Sequence, residues 1–436
     1  MSFMKKLQDI FTNKHIRKKI LFTLAILAIY RLLVIVPVPF VDISELVQQT
    51  LNASWLGYFV MLLGWSLENF SIIAVGLAPF INASIIMQLM SAVVPKLEEL
   101  TEQGEVWQQK IQQYTRYLTF PLAFLQGLGM VYFINYLLGG AVIDTSIGTV
   151  LLTAFSMAVG SMIIMWLWEL ITEKGIANGI SILIFSSIVA GITQQVSVTI
   201  SGASSFFGIL LFMLVIVVGL ILLSIFILRS MKEIPVVYAK QGKVQETSIL
   251  PIPLNPVGMI PIIFAIAFIT FPYMLGRLII QFQPMNTKLV GLANWIEVNL
   301  NIYAQQPAIF AIILYFLLIV IFTFFYTMIV FSPEKMADTI QKRGGFIPGI
   351  RPGEETSKYI NGILMHLCLW GGGWLAAIGI YSYVLNYIPF IQDIVLSLGS
   401  LPVVVTWSWV IIIVWVVQDI FNKVSADLLM SKYDEV

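Results

Sequence analysis

Apolar residues in this chain come in long uninterrupted runs. Ten such runs lie at about 20–37, 76–95, 114–138, 149–171, 177–195, 206–228, 257–276, 307–331, 362–387 and 401–421. Each is close to the roughly 20 residues that a helix needs to cross about 30 Å of hydrocarbon. The pattern therefore predicts ten membrane-spanning helices, with prolines and glycines at most of the joints. One apolar segment is different. The stretch 61-MLLGWSLENFSIIAV-75 is too short and too interrupted to span, and it carries Glu68 and Asn69. It reads as a half-helix that dips in from one face and breaks at Gly76 and Pro79.

Composition supports the bilayer. Of 436 residues, 59% are hydrophobic and 11% charged, with a mean hydropathy of +0.92. A soluble core could not hide that much apolar surface. The net charge of +1 points to neither nucleic acid nor an acidic partner, so the distribution of charge matters more than its sum. With the N-terminus inside, 21 Lys and Arg residues fall on inner segments and only Arg277 and Lys288 on outer loops. That asymmetry sets both termini in the cytoplasm, in agreement with an even number of spans. The N-terminal 20 residues lack the short apolar core and small-residue site of a cleaved signal, so the first span is expected to do the targeting. The one cysteine, Cys368, excludes an internal disulfide.

Some polar residues lie inside the runs. In 76-GLAPFINASIIMQLMSAVVP-95, Ile81 and Ile85 share a helical face near Asn82, Ser84 and Gln88. In 175-GIANGISILIFSSIVAGI-192, Ile180 and Ile184 repeat the spacing beside Asn178 and Ser181. Facing lipid, these polar groups would cost free energy. Two readings fit: helix–helix contacts, or two walls of a pore narrowed by isoleucine. Glu169, Glu173 and Lys174 read as a solvated helix end with a local ion pair, and Arg31 as a side chain that snorkels to an interface. No acid sits clearly at a midplane, which weakens a coupled transporter. His15 and His366 are unrelated in position, and no hydrolase constellation assembles. His366 beside Cys368 reads as packing rather than a metal site, and no cofactor is expected.

The segment 341-QKRGGFIPGIRPGEETSKYI-360 is unusually polar for such a chain. Its four glycines and two prolines specify a shaped backbone. Arg351 stands between Ile350 and Pro352, and its planar donor fork suits carboxylate or phosphate. A solvated connection, or Lys342, Arg343 and Lys358 resting on anionic lipid, are the other readings.

Several stretches together resemble the SecY/Sec61 alpha family of protein-conducting channels. They are 71-SIIAVGLAPFINASIIMQL-89, 111-IQQYTRY-117, 169-ELITEKGIANGISILIF-185, 258-GMIPIIFA-265, 270-TFP-272 and 344-GGFIPGIRPGEETSKYI-360. The resemblance implies an all-α polytopic membrane protein with ten transmembrane helices in two inverted five-helix halves around a central hourglass pore. It implies a cytoplasmic segment 1–19, halves at 20–195 and 196–422, and a tail at 423–436. Cytoplasmic loops would occupy about 229–256 and 333–361. A pore ring would comprise Ile81, Ile85, Ile180, Ile184, Ile263 and Ile412. A plug at about 61–75 would include Leu67, Glu68, Asn69, Phe70, Ser71, Ile72 and Ile73. Gln88 and Asn178 would belong to a polar cluster at a lateral gate, between spans two and three on one side and seven and eight on the other. Lys342, Arg343, Arg351, Lys240 and Lys243 would dock cytoplasmic partners.

The implied role is a channel, not an enzyme, in the bacterial plasma membrane. It would pass unfolded presecretory polypeptides, recognise their signal sequences and release membrane segments sideways into lipid. SecE and SecG would be its small partner subunits, and the SecA ATPase or the ribosome would drive transport. Two of the implied inner loops depart from the family pattern. Pro253 stands where a lysine is common, and Trp107, Gln108 and Gln109 stand where basic residues are common.

Overall fold

The computed structural model describes residues 13–40, 71–94, 105–137, 146–202, 218–219, 221–222, 224–227, 230–238, 246–255, 257–282, 285–302, 307–385, 387 and 407–434. They are mostly helical. The helices are α1 (Lys14–Ile35), α2 (Ala78–Val93), α3 (Glu105–Leu137), α4 (Ile147–Lys174), α5 (Gly179–Gly202), α6 (Ile260–Phe282), α7 (Thr287–Leu300), α8 (Ile309–Val330), α9 (Pro333–Lys342), α10 (Glu354–Leu385) and α11 (Trp407–Asp434). Helices stand at every expected span except 206–228, most of which lies outside the described residues. Among the described residues, Ile147–Lys174, Ile309–Lys342 and Glu354–Tyr381 are long and apolar enough to cross a membrane by length and composition.

Exposure along α8 shows what solvent these helices suit. Ile313, Leu317 and Ile321, four residues apart, are all exposed, while Tyr315, Ile319 and Thr323 are buried. In water such an apolar stripe would be costly, but hydrocarbon solvates it. The buried side packs on α10 through small residues. A Cβ on Gly372 would meet Thr323 at 3.1 Å, and one on Gly379 would meet the end of Ile319 at 2.7 Å. Thr323 and Thr327 are buried without penalty because each hydroxyl donates to a carbonyl one turn back, at 2.7 Å.

By its contacts the chain divides into two compact units. The first comprises Met1–Ala203, Ala267–Ala308 and Val416–Val436. Its core gathers Ile26, Tyr30 and Val34 of α1, Ile73 of the segment before α2, Ile164, Leu167, Trp168 and Ile171 of α4, and Ile182 and Leu183 of α5. The second comprises Ser204–Ile266 and Ile309–Trp415. It contains α8 to α10 and a three-stranded antiparallel sheet of β1 (Met231–Tyr238), β2 (Glu246–Pro253) and β3 (Gly345–Phe346), in the order β2-β1-β3.

The sheet corrects the all-α expectation. Ile234 and Val236 of β1 and Ile252 of β2 point to one face and bury against Ile340, Ile347, Ile360 and Leu364. Alternation of that kind is the pattern of a half-buried strand. Pro251 pairs with Glu233, Pro253 with Met231 and Pro235 with Ile249. Proline lacks an N–H, so these must be the non-hydrogen-bonded pairs. On β2, the outer strand, the backbone at those pairs points to the open edge, where Pro251 and Pro253 offer no donor.

Candidate functional site

The segment entering α2 is fastened at several points. Ser71 forms an isolated bridge with Pro37, and the Ile72 N–H donates to the Val36 carbonyl at 3.1 Å. Ser71 and Ile73 are fully buried. Gly160 of α4 lies so close that a Cβ there would overlap the Ile72 carbonyl. Gly76 takes a φ of +63°, a left-handed turn that suits glycine and redirects the chain into α2. Residues 71–75 of the expected half-helix are thus a series of turns: the Ala74 and Gly76 N–H groups donate to the Ser71 and Ile73 carbonyls within the segment, while the Ile72 N–H reaches the end of α1. Leu67, Glu68, Asn69 and Phe70 lie outside the described residues.

Of the six isoleucines, Ile81 and Ile85 sit one turn apart on α2, the first half-buried and the second buried. Ile180 and Ile184 sit one turn apart on α5, both half-buried, with Ile180 against the core of the first unit. Ile263 is half-buried on α6, in the second unit. Ile412 falls on α11, and its side chain is outside the described ones.

The two amides have local partners. Gln88 donates to Ser84 Oγ at 2.9 Å, and its Oε1 is buried without a hydrogen bond. Asn178 Oδ1 accepts from the Ile180 N–H at 3.0 Å, at the start of α5. Each therefore bonds within its own helix or helix end, and the structure does not pair them with one another.

Glu169 is bound by Arg116 of α3, Nε to Oε1 at 2.8 Å, rather than by its neighbour Lys174. The bond ties α3 to α4 where both leave their apolar stretches.

The polar loop after α9 is a built structure. Gly344, Gly349 and Gly353 all have positive φ, at 70°, 83° and 101°. Gly345 pairs with Tyr238, and a Cβ there would meet the Tyr238 ring at 2.8 Å. Only glycine allows β3 to lie against β1 at that point. The segments 231–238, 246–253 and 345–346 therefore pack side by side in one sheet. Thr356 Oγ1 donates to the Arg351 carbonyl at 2.8 Å and holds the return of the loop. The side chains of Lys342, Arg343 and Arg351 are exposed, with no hydrogen-bond or ion-pair partner among the described residues. Lys358 instead pairs with Glu354 at 2.8 Å, which lowers the Glu354 pKa and raises that of Lys358. Lys240 and Lys243 lie outside the described residues.

Sequence reasoning missed the sheet that carries this loop. The signal was present as alternating Ile234 and Val236, then Leu250 and Ile252.

Residues 71–421 match the family model described as SecY. The chain belongs to the SecY family. The protein translocase subunit SecY of Bacillus licheniformis is 40% identical, over 86% of this chain and 88% of that one. That of Staphylococcus aureus strain NCTC 8325 is 37% identical, over 86% and 87%. Among solved structures, one of a protein-conducting channel aligns with a TM-score of 0.61 and 19% identity, over 96% of this chain and 93% of that one. Sec61 from a canine ribosome–channel complex aligns with a TM-score of 0.56 and 18% identity, over the same shares. These likenesses extend the shared fold beyond the matched segment.

Proposed function

We propose that this chain is the pore-forming subunit of a protein-conducting channel that moves unfolded presecretory polypeptides across the bacterial plasma membrane. The observation that carries the reading is the family match over 71–421, with 40% identity to a translocase subunit. The ten expected spans form two inverted halves, 20–195 and 196–422, with both termini in the cytoplasm. Ile81, Ile85, Ile180, Ile184, Ile263 and Ile412 meet at the waist between them.

An apolar ring suits this task physically. It offers an ion no replacement for its hydration shell and dewets when empty. Branched apolar side chains still close around a moving chain without binding any one sequence. The plug, about 61–75, covers the outer side at rest, and its last residues, Ser71 to Ile73, serve as its anchor.

Sideways release needs a seam of marginal stability, between spans two and three and spans seven and eight. Gln88 and Asn178 belong to that gate. The unpaired Gln88 Oε1 supports this, since a buried acceptor gains from a helix that brings a donor. A signal sequence, itself an apolar helix, shifts the seam toward its open form by binding that form better.

Lys342, Arg343 and Arg351, with Lys240 and Lys243, dock the SecA motor or the ribosome, and SecE and SecG complete the channel. The chain itself has no catalytic role; the work comes from those partners.

The test is reconstitution. Vesicles holding the chain with its small subunits, given SecA, ATP and a presecretory protein, are expected to shield the substrate from added protease. Vesicles with an intact, folded channel and no shielded substrate would overturn the reading. The double variant Ile85→Ser/Ile184→Ser is expected to leak ions without substrate. A membrane as tight as the parent's would remove those residues from the seal.

A further inference from the structure

Arg31 lies within an apolar run, where a cation is rare and needs partners. It does not reach for an interface. Its Nη2 donates to the Ser186 carbonyl and, at 2.9 Å, to Ser186 Oγ, both on α5. The preceding residue, Tyr30, is buried, and its hydroxyl lies 2.7 Å from Ser187 Oγ. Ser187 gives its one proton to the Leu183 carbonyl at 3.1 Å, so the Tyr30 hydroxyl is the donor in that pair. The Arg31 guanidinium also sits 5.7 Å from the centre of the Tyr30 ring, within range of a cation–π attraction. Two consecutive residues of α1 thus grip two consecutive residues of α5.

Helical geometry makes this grip a restraint on rotation. At about 100° per residue, Ile180 and Ile184 lie roughly 70° and roughly 110° around the helix from the midpoint of Ser186 and Ser187, both on the same side. Fixing Ser186 and Ser187 against α1 therefore fixes where the two isoleucines point. Apolar contacts alone define this poorly in lipid, which solvates any apolar face equally well. We propose that Tyr30 and Arg31 are positioning residues that hold α5 in the one rotation at which Ile180 and Ile184 face the conducting path. The proposal rests on the channel reading and names the hydrogen bonds that keep the seal in register.

The experiment is resting ion conductance of the reconstituted channel without substrate, with translocation measured on the same vesicles. By the size of hydrogen bonds between membrane helices, Tyr30→Phe should raise the conductance about threefold and Arg31→Gln up to about fifteenfold. An isosteric pair separates bonding from packing: Ser187→Val should leak and Ser187→Thr should stay tight. If all four variants insert normally and remain as tight as the parent, or if Ser187→Thr leaks as much as Ser187→Val, the grip does not set the seal. Failure of the channel reading would look different: the parent would not translocate, and Ile85→Ser/Ile184→Ser would not leak.

Discussion

Two regions of this molecule solve the same packing problem with different forces. Around α1, α4 and α5, close backbone approach and a few polar bonds hold the helices: Gly160 against Ile72, Tyr30 on Ser187, Arg31 on Ser186. Around the sheet, Ile234, Val236, Ile252, Ile340 and Leu364 form a small apolar core of the kind found in soluble domains. On the channel reading the difference follows from the solvent. Lipid is as apolar as leucine, so burying leucine against a second helix gains little, and fit and hydrogen bonds decide. Beside water, burial itself drives packing. The two regions should therefore fail under opposite substitutions, one when a small residue grows and the other when a large residue shrinks.

The largest effect is expected at Gly160. A valine there would drive its side chain into the Ile72 carbonyl, a backbone atom that cannot move aside cheaply. Gly160→Val should cost more than about 4 kcal/mol, the range of severe overpacking and backbone strain. The measurement is membrane abundance and the midpoint of heat-induced aggregation in detergent. A protein of parental abundance and midpoint would mean that the fastening of Ser71 to Ile73 is not tight.

Next comes Ile252, fully buried in the sheet core. Ile252→Ala should cost about 2–5 kcal/mol, the usual range for such a truncation. The loss should stay local, because this core belongs to the second unit and the helices that grip α5 belong to the first. Protease should cut near 246–253 sooner, motor-driven translocation should fall, and resting conductance should stay unchanged. A rise in conductance equal to that of Tyr30→Phe would erase the contrast between the two regions.

These two positions also show what was legible in the sequence. The helical regions could be read because long apolar runs have one stable form in lipid. The pairs that matter within them could not be read. Arg31 was visible as an anomaly, but its partner lies 155 residues away, and nothing local marks Ser186. Gly160 looked like any glycine in an apolar run. In the sheet the reverse holds. The alternation at 231–238 and 246–253 is plain, but Pro235, Pro251 and Pro253 argue against strands and hide it. Only the pairing register removes the objection, by putting all three prolines at positions that need no donor toward their partner strand.

That register gives the smallest predicted effect on stability and the sharpest test of the sheet. A charge on an outer strand is one guard against unwanted pairing. Here the guard is the missing N–H at Pro251 and Pro253. The double variant Pro251→Thr/Pro253→Thr restores two outward donors on β2 without touching the face that packs on Ile234 and Val236. Its stability should stay within about 0.5 kcal/mol of the parent, as for most surface changes. What should change is association. The purified variant should form concentration-dependent dimers in detergent that the parent does not, paired along β2 and reversed by Pro251 alone. A variant that stays monomeric would mean that the edge is guarded by something other than its prolines.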